Sequence, residues 1–334
     1  MTLVTAVTVN WNGLKWLPGV LAMLRRQSGV DLDILVVDNS SEDGSLEWLA
    51  TQADVRVVRS PRNTGFAGGA NLGIAASTTP YVLLVNPDVD LDSSYTAHLV
   101  RALEAAPDAA SATGALVRAR STTAVVDSTG HVVYRGCWAA NRDAGRPQSE
   151  LPSDGVVEVF GVCAAAALYR RSALLDVALQ GQVFCEDFFA YLEDVDLDFR
   201  LRWAGWHSLA VHAARGVHVR SATGARNRPD VRRHIVKNYF LLMARAYDPR
   251  WIWSDATRIA GIAGGVLLQY AIAEPSSLLG MADFVRLRHR WRHDRREIME
   301  HRRARSSSVR AWLEPFPWRS KSGIAIRKMR RRTV

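Results

Sequence analysis

Cysteine is scarce. The three residues, Cys137, Cys163 and Cys185, lie far apart. They have neither the even count of a disulfide framework nor the close spacing of a thiolate metal site, which favours free thiols in a reducing compartment. Long apolar runs are missing too. The longest, IAGIAGGVLLQYAIA over 259–273, ends at Glu274-Pro275 and falls short of the ~20 residues needed to span a bilayer. The N-terminal MTLVTAVTVNWNG has no basic n-region, so no signal peptide is expected and the chain reads as cytoplasmic. Neither a P-loop Gly-Lys-Ser/Thr nor a GxGxxG fingerprint is present, which removes two common glycine-rich nucleotide motifs. No internal repeat or low-complexity segment stands out.

What is present suits a large α/β domain with an appendage, or two domains. The chain has 334 residues, of which 48% are hydrophobic, enough for a real core. Charge is unevenly distributed. Residues 1–230 carry 20 Lys/Arg against 25 Asp/Glu, and residues 231–334 carry 23 against 8. The whole excess of +10 therefore belongs to the last third. There the apolar stretch is followed by RLRHRWRHDRR (286–296) and RKMRRR (327–332), with Trp251, Trp253, Trp291, Trp312 and Trp318 nearby. Basic clusters beside an apolar helix suit an anionic leaflet. They also suit nucleic acid, or a solvated helix face with a tail. The clustering of apolar residues and tryptophan puts the membrane surface ahead of nucleic acid.

The first third alternates strand and helix. Strands are predicted over 3–11, 32–40, 55–60 and 80–92, and helices over 13–27, from Ser41 onward, and over 65–77. Repeated strand–helix units predict a mostly parallel sheet with helices on both faces. Ligands of such sheets sit at the strands' carboxyl ends, where Asn10, Asp38 and Asp88 fall. The middle is less regular, and 120–155 shows no clear pattern. A strand then a helix are predicted over 155–177, a helix over 193–204, strand–turn–strand over 207–219, and helices from about 230.

Four motifs carry candidate chemistry, each with a duller alternative. GFAGGANLG (65–73) could bring backbone close to a ligand through Gly65, Gly68 and Gly69, or be a tight turn. NPDVDLD (86–92) follows an apolar strand, where carboxylates can hold a hard cation; Asp88 is the candidate, and Asp90 and Asp92 read as turn or cap residues. YLEDVDLDFR (191–200) crowds four acids into six positions. Two of them have helical partners of ~0.2–0.5 kcal/mol each, Asp196 with Arg200 and Asp198 with Arg202. Glu193 and Asp194 have none, which leaves helix-terminal capping or a general base. His218 could be a metal ligand beside Asp88, or an ordinary buried histidine.

Together these segments stop being independent. VTVNWNG, ILVVDNSSEDGS, RSPRNTGFAGGANLGI, YVLLVNPDV, GVCAAAALYRRSAL and FFAYLEDVDLDFRLRWAGW, in this order and spacing, resemble a family 2 inverting glycosyltransferase, most closely the bacterial rhamnosyltransferase-like branch. The resemblance covers roughly residues 3 to 225. It implies a GT-A fold over 1–230, with 231–334 as a helical, basic C-terminal region that is membrane-interfacial or oligomerising. It further implies a nucleotide-diphosphate sugar donor and a divalent cation, Mg²⁺ or Mn²⁺. By this resemblance Asn10 and Asp38 line the pocket for base and ribose, and Arg62, Asn63, Gly65 and Asn71 close on the nucleotide. NPD takes the place of the metal-binding Asp-x-Asp, with Asn86 first and Asp88 as the ligand, joined by His218. Glu193-Asp194 matches the catalytic acidic pair, with Asp194 as base. The chain departs at Arg220, where relatives often carry Gly, and in the QGQVFCEDFFAY lead-in.

The implied reaction is transfer of a sugar, rhamnose from dTDP-rhamnose first, to a lipid-linked or cell-envelope glycan at the cytoplasmic face of the inner membrane. Another nucleotide sugar, such as a UDP-hexose or UDP-galactofuranose, is the alternative within the fold. A homodimer through the C-terminal helices competes with the membrane. A processive synthase is disfavoured, since no QxxRW-like segment occurs. A non-enzymatic nucleic-acid-binding protein would leave Asp38, Asp88 and Asp194 without purpose.

Overall fold

The computed structural model describes residues 2–119, 123–220 and 229–317. The tail RKMRRR, Trp318 and Ser221 lie outside them. The first half runs β1 (Leu3–Asn10), α1 (Leu17–Arg25), β2 (Asp31–Asp38), α2 (Ser45–Leu49), β3 (Val55–Arg59), α3 (Gly65–Ala75), β4 (Tyr81–Val85), β5 (Val89–Leu91), α4 (Tyr95–Ala105) and β6 (Ala109–Val117). Three short strands follow, β7 (Val126–Ser128), β8 (His131–Tyr134) and β9 (Trp138–Asn141). Next come β10 (Val156–Val159), β11 (Ala166–Arg170), α5 (Arg171–Asp176), α6 (Glu193–Trp203) and β12 (His207–His218). The last part is helical: α7 (Pro229–Ala246), α8 (Pro249–Ser254), α9 (Ala256–Ala273), α10 (Leu279–Arg286), α11 (Arg288–Glu300) and α12 (Ser306–Arg310), closed by β13 (Leu313–Glu314).

The main sheet has the order β10-β12-β6-β11-β4-β1-β2-β3. The β4-β1-β2-β3 half is parallel, while β11 runs antiparallel between β4 and β6. The parallel strands are buried on both faces. Val4, Ala6, Ile34 and Val36 point into a core with α1 and α4, and Val7, Leu35 and Val37 into a second core with α3 and α5. That explains why β1 and β2 read as near-continuous apolar runs. The glycines of α3 serve this packing. A Cβ at Gly69 or Gly73 would fall 2.5 and 2.2 Å from the side chains of Val9 and Val7.

Two local expectations differ. Residues 207–218 form one long strand rather than strand–turn–strand, with a register shift between Val211 and Arg215 absorbing the small residues there. Residues 120–155 hold β7, β8 and β9. They are only three or four residues long, and their partners range from the neighbouring β9 and β6 to the distant β13, so no local period marks them.

The helical third shares a core with the sheet body. Phe160, Phe188, Phe199 and Trp203 pack with Leu241, Leu242, Tyr247, Trp251, Ile298 and Leu313. Trp251 is buried and stacks on Trp203, and Trp291 stacks on Phe284. The expected tryptophan cluster at a lipid surface is thus reduced. Among the described tryptophans of that cluster, Trp253, at 85% exposure, is the one left open. The apolar stretch extends to the 18 residues of α9, with a mean hydropathy of 1.3, long and apolar enough to cross a membrane by length and composition. Ile262 and Val266 of α9 nonetheless pack with Val236 and Tyr239 of α7, so one face is held against the protein.

Candidate active site

The parallel strands β1, β2 and β4 end on one edge of the sheet, and the candidate residues gather there. Asn10 and Asp38 are register partners at the ends of β1 and β2. Asn10 Nδ2 donates to Asp38 Oδ1 at 3.1 Å and to Ser41 Oγ at 3.1 Å, and Ser41 N donates to Asp38 Oδ2. Both residues are buried, so this knot holds the strand ends together. The next residue, Asn39, had no assigned role from the sequence. Its amide donates to Asn63 Oδ1 at 3.1 Å and to Gly65 O at 2.8 Å, and its Oδ1 accepts from Thr64 N. Asn39 therefore fixes the RNTG loop against β2 and leaves Arg62 exposed at the rim. Asn71 is oriented elsewhere. Its amide exchanges hydrogen bonds with the Phe184 backbone, at 2.9 and 2.8 Å, and so braces the 184–186 segment.

On the other side of β4 lies NPD. Asn86 N donates to Ala165 O at 2.9 Å, and Val89 N to Asn86 O, closing a turn that buries Asp88. Antiparallel pairing of β5 with β12 sets His218 opposite Val89. The His218 imidazole consequently faces Asp88, with Nε2 to Oδ1 at 3.4 Å. Its other nitrogen, Nδ1, meets Asp127 Oδ2 at 2.9 Å, and Arg220 Nε meets Asp127 Oδ1 at 2.5 Å. Burial opposes a charge on this ring, but the hydrogen bond to Asp127 and the Asp88 carboxylate raise it to about 9. A carboxylate and an imidazole nitrogen converge here, with an outer carboxylate fixing the ring. This donor set suits a hard to borderline divalent cation whose remaining positions are filled by oxygens.

The acidic pair opens α6. Phe189, Tyr191 and Leu192 all take positive φ just before it, at 66, 71 and 69°. Strain of this kind persists only where surroundings impose it. Asn238 on α7 supplies one clamp, its Nδ2 donating to the carbonyls of Phe188, Ala190 and Tyr191 at 2.9, 2.9 and 2.7 Å. α3 supplies the other. Ala67 N donates to Phe189 O, and a Cβ on Gly65 would fall 2.2 Å from that oxygen. The result separates two adjacent acids. Glu193 is buried, and its carboxyl is pushed well above the usual range, by burial first and then by the charge of Asp194. Asp194 keeps a side-chain exposure of 16%. Its Oδ1 accepts from Val195 N at 2.9 Å and its Oδ2 from Ala164 N at 3.3 Å. Two consecutive residues thus brace the two halves of the site, Ala164 at Asp194 and Ala165 at the Asn86 turn.

The other acids of α6 are buried rather than surface pairs. Asp196 meets Arg200 at 3.0 Å as expected and also Arg245 at 2.9 Å. The expected Asp198–Arg202 pair does not form. Arg202 turns to Glu158 at 2.5 Å and to the Phe160 carbonyl, and Asp198 accepts from Val162 N and meets His131 Nδ1 at 2.7 Å. Helical spacing permits an i,i+4 pair, but partners from β8 and β10 reach these buried groups first. His131, Asp127, Asn39 and Asn238 were not legible beforehand, because each acts through a partner 24 or more residues away.

A sequence profile described as Glycosyl transferase family 2 matches residues 5–177. The N-acetylglucosaminyl-diphospho-decaprenol L-rhamnosyltransferase of Mycobacterium tuberculosis is 28% identical over 274 residues, covering 73% of this chain and 85% of the relative. Among solved structures, GalNAc-T7 with UDP, GalNAc and Mn²⁺ superposes with a TM-score of 0.61 at 12% identity, covering 90% of this chain but 56% of that longer one. The mannosyltransferase PcManGT of Pyrobaculum calidifontis, in complex with GDP-Man and Mn²⁺, gives 0.51 at 18% identity over 89% of this chain and 84% of its own. These likenesses place the sheet and its flanking helices in the GT-A fold.

Proposed function

The chain belongs to glycosyl transferase family 2, and from that premise we propose that it moves rhamnose from dTDP-rhamnose to a lipid-linked acceptor bearing N-acetylglucosamine, with inversion at the anomeric carbon. The family assignment makes the protein a glycosyltransferase and retires the non-enzymatic reading of its basic third. The acceptor class comes from the printed name of the mycobacterial relative. The observation that carries the reading is the shared bracing of Asp194 and the Asn86–Asp88 turn by Ala164 and Ala165. It ties a partly exposed carboxylate to the cation-ready pair Asp88–His218.

In this reading Asn10 and Asp38 border the nucleoside, and the Arg62–Gly65 loop, held by Asn39, covers it. Asp88 and His218 would hold the divalent cation, which would supply positive charge to offset the charge developing on a departing diphosphate. Asp194 takes the proton of the acceptor hydroxyl as its oxygen attacks the anomeric carbon, a contribution of ~10²–10⁴ in rate for a positioned base. Glu193, neutral and buried, shapes the helix start rather than sharing the proton. The exposed apolar residues Trp253 on α8, Leu268 and Ile272 on α9, and Leu279 and Val285 on α10 precede the arginine-rich α11 in the chain and suit an anionic lipid surface, where a lipid-linked acceptor resides.

The deciding experiment is a donor panel. Purified protein with Mg²⁺ or Mn²⁺ is titrated with dTDP-rhamnose, UDP-hexoses and UDP-galactofuranose and followed by thermal shift and by transfer to a synthetic lipid-diphospho-GlcNAc. The greatest stabilisation and transfer are expected from dTDP-rhamnose. A UDP sugar that outperforms it would move the assignment to the alternative donor.

A further inference from the structure

We propose that His131, which no motif marks, is a positioning residue for the acceptor-side base: its imidazole, held between Asp194 and Asp198, aims the Asp194 side chain at the acceptor. The inference rests on the reading of Asp194 as the base.

Asp194 and Asp198 stand one helical turn apart on the same face of α6, where two carboxylates repel. The His131 ring enters between them from the start of β8. Its Nδ1 meets Asp198 Oδ2 at 2.7 Å and its Nε2 lies 3.5 Å from Asp194 Oδ2. The arrangement is built in detail. His131 N donates to Gly161 O at 2.8 Å, fixing the backbone, and Val162 N donates to Asp198 Oδ1 at 3.1 Å. A Cβ on Gly161 would come within 1.9 Å of the Asp198 carboxylate, so glycine alone admits it. His131 and Asp198 are both buried, whereas Asp194 keeps an opening to solvent. Burial would lower the imidazole, but Asp194 and Asp198 raise it well above its ordinary value. The groups facing the ring are Asp194 and Asp198 of α6 and Cys163, with Glu193 and Tyr169 bordering the same acids. A cation held there acts on the acids around it, Asp198 and Glu193 among them, as well as bridging β8 to α6.

Linkage makes the coupling measurable from either side: if the cation favours the Asp194 carboxylate, that carboxylate favours the cation by the same factor. The test is ¹⁵N-histidine NMR of the intact protein, with the His131 signal identified by its loss in His131→Gln. An imidazolium signature that persists at pH 8, and a midpoint lower by about one pH unit or more in Asp194→Asn, are expected. A neutral ring at pH 8, or a midpoint indifferent to Asp194→Asn, overturns the proposal. So does Zn²⁺ uptake that removes the signature, since His131, Cys163 and Asp194 offer ligand atoms within 4.8 Å of one another.

Kinetics with dTDP-rhamnose and the synthetic acceptor form the second arm. His131→Gln should lower kcat about 10–100-fold and leave donor KM within about twofold. A kcat within about twofold of wild type, or a loss that appears in donor KM instead, overturns the inference. Normal turnover by Asp194→Asn would instead sink the base assignment itself, and this inference with it. If His131→Gln fails to fold, the wild-type ring and its response to Asp194→Asn and Asp198→Asn still decide.

Discussion

Glu193 and Asp194 share a helix turn but not an environment, and that difference governs their chemistry. Asp194 meets solvent and two backbone amides, which is why it is the acid proposed to take a proton from a bound hydroxyl. Replacement by Asn should cost ~10²–10⁴ in kcat while nucleotide affinity is kept. Steady-state turnover beside a binding titration checks both halves. Glu193 behaves oppositely. Its carboxyl is raised in the folded protein by burial and by Asp194, so its contribution to stability is complete below the unfolded value of ~4.3 and is lost as pH rises toward the folded one. Glu193→Gln should therefore raise Tm relative to wild type more at pH 8 than at pH 5, with kcat reduced far less than by Asp194→Asn. A larger gain at pH 5 would mean that the carboxyl is ionised in the folded state. Asp88 faces His218 at 3.4 Å. Asp88→Ala should weaken nucleotide binding in the presence of Mn²⁺ and leave the residual binding insensitive to chelation. Calorimetry with and without the ion reads this directly.

At the scale of elements, α6, which carries the proposed base, depends on parts that are not near it in sequence. α6 begins where three residues of positive φ are clamped by Asn238 of α7 and by the start of α3. Removing the Asn238 amide leaves buried carbonyls short of donors, at about 1–3 kcal/mol. Asn238→Ala should lower stability by that order in chemical denaturation and speed hydrogen exchange over 188–195. Unchanged exchange there would show that α3 alone holds the loop. Farther along α6, Asp196 is fixed by Arg200 and Arg245, and Arg245 also meets Asp294 of α11. Three helices are thereby joined through one buried ionic knot, whose members are much costlier to remove singly than a surface pair. Helix α6 was legible as a helix because its local spacing is regular. The partners of Asp198 and Arg202 were not, since His131 and Glu158 are brought to α6 by long-range packing rather than by spacing along the chain.

For the molecule as a whole, the basic last third is not merely appended. It supplies Leu241, Tyr247, Trp251 and Leu313 to a core shared with Phe199 and Trp203, and it supplies Asn238 to the base loop. Its remaining face is apolar and open, with Trp253 just ahead of α9 and Ile272, at 72% exposure, near the far end of that helix. α9 is about 27 Å long at 1.5 Å per residue, yet Ile262 and Val266 tie it to α7, which favours a helix lying along a surface over one crossing it. Vesicle flotation should show binding that needs anionic lipid and falls when Trp253, Leu268 and Ile272 are changed to Ser together. Association into dimers without vesicle binding would instead assign the face to a second copy of the chain.

Local pattern was sufficient for the alternating strands and helices of the first third and for the strand ends that carry Asp38 and Asp88, whereas the choice of Asp194 over Glu193 came from the family resemblance. A strand end and a helix start are short-range events, governed by periodicity over a few residues. The neighbours of those acids came only from tertiary packing: His131 between two carboxylates, Asp127 behind His218, Asn238 beneath the base loop and the single core uniting both parts of the chain. Such contacts follow from long-range burial, in which a charged group takes whichever partner the folded chain brings within reach. No spacing rule along a sequence encodes that choice.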